Sequence, residues 1–231
     1  MAISPQYVIH GTSLDNLIHI LSTGKLETNP RNATRVLDPE YYNPRQIFTQ
    51  ILFKDLPHQE KQLSHWFMCG IILDKRILKD RQWYATAIGG FYERFADAFN
   101  NKIQAKVEPD SRSVIITKNA TNGAARIPSL ASLKKYITKQ MQPGILGEVG
   151  FIHSHEILFG EDISLAEYGV CILVREWAFR NMISKAEQEV IKAKCQELGM
   201  QLVMYGGNHK ARYWTLGLNK TIELIDENAE K

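Results

Sequence analysis

The sequence predicts an α+β fold in a single domain, residues 1–231, with strands outnumbering helices. Three observations carry that expectation. Short runs rich in Val, Ile, Phe and Tyr recur along the chain, separated by turn residues, as strands do. Fewer segments show the 3.6-residue apolar period of a helix, and those have recognisable ends. No repeats, low-complexity tracts or convincing linkers divide the chain.

The first strand and helix are the best defined. Tyr7, Val8 and Ile9 read as a short buried strand, and Ser13 is a good N-cap with Asn16 three residues on. Leu14, Leu17, Ile18 and Leu21 then form one helical face, and Gly24 stands where a left-handed glycine would end the helix. His10-Gly11-Thr12 is thereby delivered to the mouth of a helix. From Lys25 to Arg45 the chain is polar and irregular, with Pro30, Pro39, Pro44 and the pair Tyr41-Tyr42, which suits a lid or binding loop.

Gln46 to Phe53 reads as a strand, Lys54 to Ser64 as a charged loop, and Trp66 to Leu73 as a buried strand. Asp74 to Asp80 is a turn or short helix. Gly89-Gly90 opens a helix whose Phe91, Phe95, Ala98 and Phe99 pack as core. Glu108 to Ser111 breaks the chain, Ser113 to Thr117 is strand-like, and Asn122-Gly123 is a turn. Ser129 to Met141 forms a helix with Leu130, Leu133, Ile137 and Met141 inward, closed by Pro143-Gly144. Gly147 to Phe159 is β-prone, and Ile163 leads into the apolar strand Val170 to Val174. Ser184-x-x-Glu187 is a capping box for a helix burying Val190, Ile191, Cys195 and Leu198, and Gly199 stops it. Met200 to Tyr205 and Arg212 to Leu216 read as a hairpin, and residues from Asp226 onward as a frayed tail.

Composition excludes more than it identifies. Hydrophobic residues at 44% and charged residues at 23% are ordinary for a globular protein. A net charge of +3 is too small to indicate a nucleic-acid or membrane partner. Three cysteines, Cys69, Cys171 and Cys195, lie far apart without a CxxC pair, which suits a reducing compartment. With no signal-like segment and no membrane-length apolar run, the expected location is cytoplasmic, or a host cytosol reached without a cleavable signal. Repeats, low-complexity tracts, phosphate-loop, dinucleotide-loop, nucleophile-elbow and zincin motifs are all absent from the sequence.

Two stretches remain as candidate chemistry. Gly11 has no Cβ and admits a ligand to the backbone, with His10 and Thr12 on either side of it. His10 alone is read equally well as a core histidine with satisfied hydrogen bonds. In Phe151 to Phe159, strand alternation puts Ile152, Ser154, Glu156 and Leu158 on one face and His153 and His155 on the other. Glu156 between apolar neighbours is either a functional carboxylate or a strand end facing solvent. His153, His155 and Glu156 could also be read as zinc ligands. Further ligands would have to come from His19, His58, His65 or His209, which show no motif, so no metal is expected.

Taken together, these stretches resemble the ADP-ribosyltransferase superfamily, in the branch that includes diphtheria toxin and the poly(ADP-ribose) polymerases. The resemblance rests on Tyr7 to Ser13 with Asn16-Leu17, Ile20-Leu21 and Gly24-Lys-Leu26, and on Ser154 to Phe159 followed by Ile163 to Leu165 and Val170 to Val174. Gln46-Ile-Phe-Thr-Gln50 is similar to the family's second motif strand, with Phe48 standing 38 positions after His10. The segment from Phe53 to Gln140 lies outside the resemblance.

The resemblance implies a split antiparallel β-sheet core with flanking helices, and transfer of ADP-ribose from NAD to a protein or nucleic-acid acceptor with nicotinamide released. It implies that His10 hydrogen-bonds a ribose hydroxyl of NAD, that Gly11 holds the carboxamide and that Thr12 supports the pocket. Phe48 would stack on the nicotinamide, with Thr49 and Tyr84 in the same pocket, and Glu156 would be catalytic together with His10. The chain departs from the family at Phe48, where a tyrosine usually stands. Tyr41, Tyr42 and Tyr84 are the candidates to supply the hydroxyl. Two alternatives stay open: a silent binding domain of the same fold, and an RNA 2′-phosphotransferase, which has no need for Glu156.

Overall fold

The computed structural model describes residues 4–28, 47–54, 69–86, 129–134, 156–206 and 223–227. In chain order the elements are β1 (Ser4–Thr12), α1 (Leu14–Thr23), β2 (Lys25–Leu26), β3 (Ile47–Lys54), β4 (Cys69–Asp74), α2 (Ile77–Asp80) and β5 (Trp83–Thr86). They continue with β6 (Glu156–Phe159), β7 (Ile163–Ser164), α3 (Leu165–Tyr168), β8 (Gly169–Arg175), α4 (Glu176–Asn181), α5 (Lys185–Glu197) and β9 (Gln201–Tyr205). Residues 130–134 and 223–227 are also helical. The chain separates into two compact units, one formed by residues 1–27, 51–81 and 162–231 and the other by residues 28–50 and 82–161. β3 runs through both.

In the first unit β1 pairs with β4 and β4 with β8, both antiparallel, while β8 pairs with β9 in parallel. β4 has strands on both sides and reads Cys-Gly-Ile-Ile-Leu, buried throughout, as a central strand covered on both faces must be. The parallel pairing of β8 and β9 follows from their connection, because α4 and α5 carry the chain back to the same end of the sheet. One face of the sheet holds Ile9, Ile72, Cys171, Leu173 and Val203, packed with Leu52 and Ile225. Gly169 is required by close approach. A Cβ there would stand 2.5 Å from the Leu165 carbonyl oxygen and 2.6 Å from Met200 Sδ.

α1 begins where the Ser13 hydroxyl accepts from the Asn16 amide at 3.3 Å, and it ends at Gly24 with φ of 67°. It buries Leu14, Leu17, Ile20 and Leu21, so Ile20 takes the place the sequence reading gave to Ile18. α5 has its capping box: the Ser184 hydroxyl accepts from the Glu187 amide at 3.2 Å, and Glu187 Oε2 accepts from the Ser184 amide at 2.7 Å. Its buried side is Ile191 and Cys195, whereas Val190, expected inside, is 44% exposed. Its stripe is narrow because only one side of α5 meets the sheet and α1. Gly199 ends the helix at φ of 67°.

Three local expectations change. Lys25 and Leu26, read as the start of a loop, form β2 and pair with Ser164 and Ile163 of β7. α4 was not foreseen. The chain does not fray at Asp226 and Glu227, which are helical with 223–225, and Ile225 there is fully buried.

In the second unit β6 lies between β3 and β5, antiparallel to both. The helical turn over 130–134 begins where the Ser129 hydroxyl accepts from the Ser132 amide at 3.2 Å, and it buries Leu133. The strands read at Ser113 to Thr117 and Arg212 to Leu216, the helix from Gly89, and the tyrosine pair in the long loop lie outside the described residues. Both units are mixed α/β with mostly antiparallel strands, as expected. Among the described residues no helix is long and apolar enough to cross a membrane.

Candidate functional site

In the first unit the candidate residues stand at the end of β1. His10, Gly11 and Thr12 are not a turn after the strand but its last three residues, opposite Ile71, Gly70 and Cys69 of β4. Pairing with β4 extends β1 to Thr12 and leaves Ser13 alone as the connection to α1. His10 is half-buried and lies on the sheet face of Val8 and Thr12, while Gly11 shares the opposite face with Ile9.

Gly11 faces Gly70 directly, so two residues without side chains meet across the ladder. The space over Gly70 is taken by Ile9, whose Cδ1 would stand 2.8 Å from an added Cβ. The Thr12 carbonyl accepts from Cys69 Sγ at 3.2 Å. Burial pushes the Cys69 thiol up to about 12, so it is a neutral donor there and no nucleophile near neutral pH.

In the second unit the register of three strands assembles the remaining candidates. Phe48 of β3 and Tyr84 of β5 both face Leu158 of β6, one on each side. Glu156 opens β6 opposite Thr86. Because alternate residues share a face, Phe48, Leu158, Tyr84, Glu156 and Thr86 belong to one face of this small sheet. Phe48 and Glu156 are diagonal neighbours, a relation that sets Cα atoms about 7–8 Å apart.

Thr49 belongs to the opposite face. It is 2% exposed and donates its hydroxyl to the Ile157 carbonyl at 3.0 Å. This bond depends on the register between β3 and β6, which no local pattern specifies. Strand alternation over Ile47 to Gln50 puts Thr49 on the face of Ile47, and that is the signal available for its burial.

The other histidines divide. His19 Nε2 lies 3.2 Å from Glu27 Oε2, and Lys25 Nζ bridges Glu27 at 3.5 Å and Asp162 at 2.8 Å, an exposed network that ties α1 to β2 and β7. His58, His65, His153, His155 and His209 lie outside the described residues, as do Tyr41 and Tyr42. Among the described residues no three His, Cys, Asp or Glu side chains cluster as a metal site would require.

These elements define an α+β protein of two compact units with antiparallel strand pairs carrying its candidate residues. No protein-family profile and no curated protein matches the sequence. Among solved structures the chain is similar to Thermus sp. 2.9 DarT in complex with carba-NAD+, with 13% identity, 91% of this chain and 99% of that one covered, and a TM-score of 0.44. It is similar also to Thermus sp. 2.9 DarT in complex with NAD+, with 13% identity, 91% and 98% covered, and a TM-score of 0.42.

Proposed function

We propose that this chain transfers ADP-ribose from NAD to a protein or nucleic-acid acceptor and releases nicotinamide. The observation that carries the reading is the register of the second unit, which puts Phe48, Tyr84 and Glu156 on one face of adjacent strands. Those are the residue types the chemistry needs beside one another. The bond to break joins nicotinamide nitrogen to the ribose anomeric carbon. Its electron pair leaves with nicotinamide, and the ribose becomes oxocarbenium-like and positive. An acceptor oxygen or nitrogen then donates a pair to that carbon and gives up its proton.

Glu156 serves this step by orienting the ribose 2′-hydroxyl and stabilising the developing positive charge, a type of effect worth about 3–4 kcal/mol in a dry, preorganised site. Phe48 supplies a flat apolar wall for the nicotinamide ring. Tyr84, which the register puts on the same face, is one candidate for the hydroxyl that Phe48 lacks, beside Tyr41 and Tyr42. The assignment of His10, Gly11 and Thr12 to NAD rests on the resemblance of their sequence, with His10 donating to or accepting from a ribose hydroxyl.

The test is direct. Purified chain is incubated with NAD, alone and with protein or nucleic-acid acceptors, and nicotinamide release and mass addition to the acceptor are followed. Release with ADP-ribose added to an acceptor supports the transferase. NAD binding without release under every acceptor condition replaces it with a silent binding domain.

A further inference from the structure

We infer that Thr49 is a positioning residue for Glu156, acting through the peptide of Ile157 rather than by touching NAD; this rests on the transferase reading above. Thr49 is the buried polar residue of the described core, 2% exposed. Its hydroxyl donates to the Ile157 carbonyl oxygen at 3.0 Å, 108 positions away in sequence.

The place of that bond gives it its meaning. Glu156 and Ile157 are consecutive residues of β6. On the β5 side Glu156 pairs with Thr86, and on the β3 side the pairs Ile47–Phe159, Phe48–Leu158 and Thr49–Ile157 hold the residues that follow it. The Thr49 hydroxyl adds a side-chain bond to the carbonyl one residue beyond Glu156. A catalytic group acts best from a backbone that is held in place.

Thr49 belongs to the face opposite Phe48 and Glu156, so it reaches the chemistry only through the backbone. Thr49→Val keeps the shape and removes the side-chain donor to the Ile157 carbonyl. Thr49→Ser restores the donor and loses one methyl group.

The experiment measures steady-state nicotinamide release against NAD concentration for the wild type and both variants, with melting temperatures alongside. A misplaced catalytic group lowers turnover more than ground-state binding. For Thr49→Val the expected result is kcat lowered about tenfold or more with KM for NAD within about twofold, and for Thr49→Ser recovery to within about threefold of wild type. Backbone amide exchange over residues 156–159 should quicken in the valine variant and return in the serine variant.

Wild-type kcat in a folded Thr49→Val chain overturns the inference and leaves the transferase reading standing. So does a valine variant whose KM rises while kcat holds, since that would place Thr49 in the NAD pocket itself. A wild-type chain that releases no nicotinamide overturns the transferase reading, and the role of Thr49 falls with it.

Discussion

The Tyr7 hydroxyl donates to Asp226 Oδ1 at 2.7 Å, joining residues 219 positions apart in sequence. This bond ties the helix over 223–227 to β1, while Ile225 beside it is fully buried with Ile9, Ile72 and Leu173. The C-terminal stretch is thus part of the core of the first unit. Burial and the hydrogen bond with the Asp226 carboxylate both raise the Tyr7 pKa, in that order of weight.

The first prediction follows from that docking. Ile225→Ala should cost about 2–5 kcal/mol of unfolding free energy, the usual range for emptying a buried aliphatic site. Tyr7→Phe should cost about 1 kcal/mol, because its bond lies at the surface and water substitutes for it. Denaturant titration of both variants checks the pair. Equal small losses would mean that the helix over 223–227 contributes little to the fold.

A second prediction concerns alkaline pH. Burial pushes the Cys69 and Cys171 thiols up to about 12, and Cys195 up to about 11, and burial raises Tyr205 to about 12. A group whose folded pKa is raised holds its proton more tightly in the native state. Its contribution is fully present below the unfolded pKa and is lost as pH rises toward the folded value. For the thiols that window opens at about pH 9, so stability should fall progressively from there upward. Cys171→Ala should flatten the fall between pH 9 and 11 even if it lowers stability at pH 7. An unchanged slope would remove the buried thiols as its cause.

Much of this fold is legible in the sequence where the cause is local. Ser13 and Ser184 cap their helices because a hydroxyl three residues from an open amide finds it without help from the rest of the chain. Gly24 and Gly199 are legible because left-handed backbone excludes side chains. α4 was missed because it has no side-chain cap and only Ala178 and Phe179 are buried, too short a stripe to show a period. Val190 was misplaced inward because α5 packs along Ile191 and Cys195, and hydrophobicity does not say which of two adjacent apolar residues faces the sheet. The candidate site divides in the same way. Residue types at His10, Phe48 and Glu156 could be read, but their partners across the ladders could not. Nothing in Gln46 to Phe53 says that Phe48 will face Leu158 or that Thr49 will reach the Ile157 carbonyl.

His10 provides the third prediction, which separates the two readings of that residue. It is half-buried at the end of β1 opposite Ile71, so removing its ring exposes some strand surface but opens no deep cavity. His10→Ala should therefore shift unfolding free energy by less than about 1 kcal/mol. NAD affinity measured by calorimetry should weaken roughly five- to tenfold, the equivalent of about one hydrogen bond. A large stability loss with NAD affinity unchanged would make His10 a core residue.

Glu156 carries the last prediction, because its charge is what the proposed chemistry cannot do without. It opens β6 opposite Thr86, two residues before Leu158, which in turn faces Phe48 and Tyr84. Glu156→Gln keeps the shape and a hydrogen-bonding capacity but removes the negative charge. The ground state of NAD has little positive charge at the anomeric carbon that a carboxylate could stabilise further, whereas the transition state develops it as nicotinamide leaves. An interaction of that kind appears in turnover and not in affinity. NAD affinity is expected within a few-fold of wild type, and nicotinamide release slowed by roughly a hundredfold or more. Phe48→Tyr, which returns the hydroxyl to the same wall, should leave release near wild type or raise it. Calorimetric titration beside single-turnover release measures both quantities on one preparation. Unaltered release in Glu156→Gln would sink the mechanism as assigned. Loss of affinity in step with release would instead make Glu156 a binding residue, with the charge on the ribose stabilised elsewhere.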